Sequence, residues 1–147
     1  MSDPYTDAWL LLAIFYAEGD TTASLDKIIE VGDRIERGVF TFEEFQDSMA
    51  KFVSAGFVQP VGHGYRVIGL AHEACEKIAR HSSLQQQRGL AEKFVRKNLP
   101  TTALSDERKL RLCPMLTRAD FDRAEKKYRD AMEKFIREEY GDPSEGK

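Results

Sequence analysis

The chain has 147 residues, 41% of them hydrophobic and 32% charged. This is the composition of a globular protein of one domain, or of a small domain with an appendage, and no apolar run is long enough to be a membrane-spanning helix. A net charge of −3 gives no general attraction to nucleic acid or acidic membranes, and the opening MSDPYTDAW lacks the basic start of a secretory signal, so a cytoplasmic location is expected.

The charge is unevenly spread. Residues 1–82 hold 7 Lys and Arg against 13 Asp and Glu, whereas residues 83–147 hold 15 against 12. Cys75 and Cys113 stand 38 positions apart with no CxxC pair, which suits reduced, partly buried thiols.

In chain order, Asp3-Pro4 suits a helix start and Gly19-Asp20 a stop. The intervening AWLLLAIFYA is apolar nearly all round, so that helix is the centre of the fold or lies at an oligomer interface. A second helix begins at Thr22 or Ser24, buries Leu25, Ile28, Ile29 and Ile35, and ends at Gly38. Gly32 in its middle marks a close approach by another backbone, or a bend. Thr41 and Glu44 form a capping box for a third helix, with Phe45, Met49, Phe52 and Val53 as its buried stripe and Gly56 as its C-cap.

Val58–Val61 and Tyr65–Ile68 then flank Gly62-His63-Gly64 as a small hairpin. Pro60 cannot donate to a ladder, which makes its strand an edge strand. LAHEACEKIARHS is helical, SSLQQQRG a polar joint, LAEKFVRKNL a short helix, and SDERKLRLC another capped by Ser105. From Thr117 a helix of about 24 residues runs to Tyr140, and GDPSEGK follows as a tail. In that helix Phe121, Ala124, Tyr128, Ala131 and Phe135 repeat at steps of three and four, with Met132 and Ile136 widening the stripe.

Three helices, the third ending in SAGFV, followed by a hairpin with a glycine tip and another helix, resemble the winged helix-turn-helix superfamily. The resemblance runs from about Asp7 to His81, carried chiefly by KFVSAGFVQPVGHGYRVIGLAHEACEKI. It implies a mainly α fold with a small β-hairpin (α+β). The winged-helix domain would cover residues 5–81, and a C-terminal helical extension, residues 82–147, would pack on the first helix or form a dimer interface. Two features depart from the pattern: ERGVF is an unusual junction between the second and third helices, and Ile68-Gly69-Leu70 opens the helix after the wing.

The resemblance further implies a DNA-binding transcription regulator whose third helix enters the major groove. The groove-facing positions would then be Glu43, Glu44, Gln46, Asp47, Ala50 and Lys51, with His63 and Arg66 on the wing. Three acids against one lysine repel phosphate, so attraction must come from elsewhere. The candidates are Arg88, Lys93, Arg96, Lys97, Arg108, Lys109 and Arg111, which could contact phosphate or an acidic partner. The alternative is a protein-interaction module on the same scaffold that does not bind DNA.

Both readings expect a homodimer with Trp9, Phe121, Tyr128, Met132 and Phe135 at a dimer or packing interface; the simplest arrangement packs the first and last helices together, within one chain or across a two-fold axis. HEACE brings His72, Cys75 and Glu76 to i, i+3 and i+4, which could hold zinc only with a further ligand such as His63 or His81. The chain carries no phosphate-binding glycine loop, HExxH or nucleophile elbow. No enzyme activity, metal or cofactor is expected, and no membrane partner.

Overall fold

The computed structural model describes residues 3–100 and 103–141. The expected tail beyond Gly141 lies outside the described residues. Helices α1 (Pro4–Ala17), α2 (Leu25–Glu36), α3 (Phe42–Ala55), α4 (Gly69–Ile78), α5 (Leu84–Asn98), α6 (Asp106–Leu112) and α7 (Arg118–Tyr140) surround a small sheet of β1 (Ala23–Ser24), β2 (Val58–Val61) and β3 (Gly64–Val67). The fold is mainly helical with one antiparallel sheet, in strand order β1-β3-β2.

β2 is an edge strand, where the missing amide of Pro60 breaks no inner ladder. The two-residue β1 was not legible from the sequence, being too short to carry a period. It pairs Ala23 with Tyr65 and Ser24 with Gly64. Gly64 is needed there because a Cβ would stand 2.9 Å from the Ala23 carbonyl oxygen and 2.6 Å from Thr22 Oγ1.

α1 starts on Asp3, whose carboxylate accepts the Thr6 amide at 2.8 Å, with Pro4 in the first turn. Leu10 to Ile14 are all fully buried. The helix packs chiefly against α2 and α5, so the chain itself covers the face that the sequence left open to an oligomer. Helix α5 is longer than expected. Ser83 accepts the Gln86 amide and starts it at Leu84, which turns most of the supposed polar joint into its first turn. Buried Gln87 on that turn accepts from the Tyr16 hydroxyl at 2.6 Å and donates to the His81 carbonyl at 2.5 Å.

α2 ends one residue before the expected stop, with Arg37 rather than Gly38 in the left-handed C-cap conformation. The close approach at Gly32 is made by a ring and not by backbone. Phe40 lies over it, stacks on Trp9 with centroids 3.8 Å apart, and meets Phe45 edge-on. The unusual ERGVF junction is therefore pinned by a buried aromatic cluster. α3 forms with both halves of its capping box, at 2.9 and 3.1 Å, and closes on Gly56.

Within the chain the first and last helices are not packed as a pair, and it is α5 of the C-terminal extension that packs on α1. α7 packs chiefly on α2 and touches α3. Phe121 inserts beside Phe42 and Phe45, and the Tyr128 hydroxyl donates to Asp33 at 2.5 Å. Beyond Tyr128 every residue of α7 is exposed.

Candidate interaction surfaces

The outer side of α3 is built by its capping box and by the stripe on its other side. Once Phe45, Met49 and Phe52 are buried, Glu43, Asp47 and Lys51 must lie off the buried stripe. They do not point into open solvent. Cys113 and Leu116 are buried, and this anchors the α6–α7 joint in the core and lays residues 103–118 across α3.

Lys109 of α6 forms an ion pair with Asp47, and Arg118 of α7 forms one with Glu43 while lying 4.8 Å over the Phe42 ring. Arg108 reaches the Ser54 hydroxyl at 3.5 Å. Glu44 is engaged by the Thr41 amide, and Gln46 is half-buried. Ala50, placed by the sequence on the outer face, is fully buried.

Lys51, the lone cation of that face, points to Asp7 of α1 at 2.6 Å, and Asp7 also accepts from the Ser48 hydroxyl at 2.6 Å. The side chains of Lys51 and Asp7 are only 10% and 4% exposed. Sequence reasoning missed Asp7 and Ser48. Their only local signal was an acid and a hydroxyl on otherwise buried helix faces, 41 residues apart.

The electrostatics follow from this pairing. Burial works to raise the Asp47 carboxyl, but it is held below its usual value, with the hydrogen bond and charge of Lys109 first among the causes that lower it. The same contact raises Lys109. At Glu43 the carboxyl is lowered first by its own backbone amide and then by Arg118.

The remaining basic candidates are scattered. Arg88 pairs with Glu36 and lies 4.3 Å over the Tyr5 ring, tying α5 to α1 and α2. Arg96 pairs with Glu92 at 2.7 Å. Lys93, Lys97 and Arg111 are exposed and make no ion pair among the described residues. At the hairpin His63 and Arg66 are exposed. His63 lines a cleft of about 390 Å³ between the hairpin, α2 and α7. The two carboxylates of that cleft, Asp26 and Asp120, are engaged by Lys127 and Arg123.

The HEACE residues do not converge. Cys75 is fully buried and its thiol is pushed up to about 12 by burial, while His72 and Glu76 pair outside at 3.2 Å. Among the described residues no group of three or more His, Cys, Asp and Glu stands together as a metal set, and no helix is long and apolar enough to cross a membrane.

Among the described residues, apolar surface remains open on the end of α7 and between α4 and α5, besides single side chains such as Leu110 and Met115. Met132, Phe135, Ile136 and Tyr140 continue the buried α7 stripe into solvent, Phe135 at 52% and Tyr140 at 80% exposure. A groove of about 500 Å³ runs between α4 and α5. No protein family, curated protein or solved structure matches the chain.

Proposed function

We propose that this chain is a non-enzymatic protein-interaction module on a winged helix-turn-helix scaffold, acting as a homodimer in the cytoplasm and not reading DNA through its third helix. The scaffold reading is supported by the order of α1, β1, α2, α3 and the β2–β3 hairpin. One observation carries the function: the face of α3 that would enter a major groove is occupied by the chain's own Lys109 and Arg118, and its one lysine is held by Asp7. Groove entry would require these pairs to separate and would set three carboxylates against phosphate.

The cytoplasmic placement draws on the two free, buried thiols. The dimer draws on the exposed end of α7, a continuous apolar stripe that a second copy would cover. Opposite charges recur four apart beside it, in Glu133 with Arg137 and Lys134 with Glu138.

Titrating the native protein into a labelled mixed-sequence duplex at about 50 mM salt and then at higher salt tests the reading, because phosphate-based binding weakens steeply along that series. No binding at low salt is expected. Binding that falls with a slope of several phosphates would overturn the reading and restore the DNA regulator.

A further inference from the structure

The groove between α4 and α5 has a floor of Leu70, Ala74, Ile78, Leu90 and Phe94. Leu70 is 53% exposed, although it sits beside a well-formed core. Phe94 lies against the buried Phe57 ring, 5.3 Å away, which ties that part of the floor to the core. An apolar floor between two helices is a surface that gains by being covered.

The rim is charged, and it is one-sided. Lys77 stands on α4 and Lys93 and Lys97 on α5, all exposed, with Glu73 the one carboxylate in the lining. None of the three lysines is held by a carboxylate among the described residues. Other cations of the chain are tied down, Lys51 on Asp7, Arg88 on Glu36, Lys109 on Asp47 and Arg118 on Glu43, while Arg66, Arg111, Lys134 and Arg137 make no ion pair among the described residues but do not border this groove. Unheld lysines beside exposed apolar side chains have the complementarity of an acidic, amphipathic partner.

The length of the groove limits that partner. α4 has 10 residues, about 15 Å of helix, so the groove accepts about three turns of a partner helix laid lengthwise. We propose that this groove docks an acidic amphipathic helix of a partner protein, its leucine-like face on Leu70, Leu90 and Phe94 and its carboxylates on Lys77, Lys93 and Lys97. The proposal rests on the interaction-module reading and names the partner's chemistry. Its lining shares no residue with the covered face of α3, so the duplex titration and the groove can fail separately.

The experiment uses the full-length protein and two synthetic fluorescent peptides of about 14 residues, each with a helical leucine stripe, one flanked by Glu and the other by Lys. Anisotropy should show micromolar binding of the Glu peptide and at least tenfold weaker binding of the Lys peptide. The double variant Lys93→Glu/Lys97→Glu and the exposed-site variant Leu70→Ser should each weaken the Glu peptide about tenfold or more. Circular dichroism should leave both variants folded, since all three positions are exposed.

Equal binding of the two peptides, or binding unchanged in both variants, overturns the proposal. So does binding to vesicles of phosphatidylcholine with about a third phosphatidylserine in the absence of peptide binding, which would make the lysine rim a lipid-facing surface. Self-association that is lost in Leu70→Ser would assign the groove to a second copy and overturn it as well.

Discussion

Gly32 sits in the middle of α2, where glycine costs about 1 kcal/mol relative to alanine. The Phe40 ring explains it, because a Cβ at that position would lie 2.5 Å from the ring edge. The Trp9 indole also donates to the Gly32 carbonyl at 2.8 Å, which fixes the helix against α1. Gly32→Ala is therefore expected to destabilise the protein by about 1–2 kcal/mol, with over-packing outweighing the gain in helix propensity. Urea unfolding followed by Trp9 fluorescence checks this, and an unchanged midpoint would mean that the ring moves aside. Asp7 follows a similar logic. It is nearly buried and acceptable there because Ser48 and Lys51 satisfy it, and no local pattern announces a partner so far along the chain.

Helix α6 has seven residues and none of them is fully buried, so the half-buried Leu112 is its main apolar contact with the core. Its position on α3 rests on Lys109 with Asp47 and on the buried Cys113 and Leu116 beside it. The folded state lowers Asp47 below 3.8 and raises Lys109 above 10.5. The Asp47 contribution is thus present above the ordinary carboxylate value and lost as pH falls through the lower folded one. The Lys109 contribution is present below 10.5 and lost as pH rises through its higher folded value. Helix α6 should stay docked on α3 throughout the neutral range and loosen on acidification below about pH 4. Backbone NMR shifts of residues 105–113 should move in that window, and Asp47→Asn should produce the same shifts at neutral pH. Shifts that stay constant down to about pH 3 would refute a role for the pair.

α7 divides into two halves at the same scale. Phe121 and Tyr128 are buried on α3 and α2, while Met132, Phe135, Ile136 and Tyr140 carry the stripe on into solvent. Sedimentation is expected to find a dimer at tens of micromolar, and a monomer for Phe135→Asp/Ile136→Asp with unchanged thermal unfolding of the subunit core. A native monomer at that concentration would remove the dimer.

Across the whole molecule, one central helix is enclosed from several sides and the acidic first half is matched to the basic second half at specific places. The sequence determined the helices with strong local signals. Asp3-Pro4, Thr41 with Glu44, Gly56, Ser105 and Thr117 each set a boundary through hydrogen bonds within a single turn. It also determined the hairpin and the edge position of Pro60, since a proline lacks its donor wherever it sits. Only the tertiary structure decided that α5 covers α1, that a two-residue strand completes the sheet, and that the acids of α3 face lysine and arginine of the same chain. These depend on contacts between residues tens of positions apart, where side-chain periodicity within an element says which face is polar and nothing about what comes to lie on it.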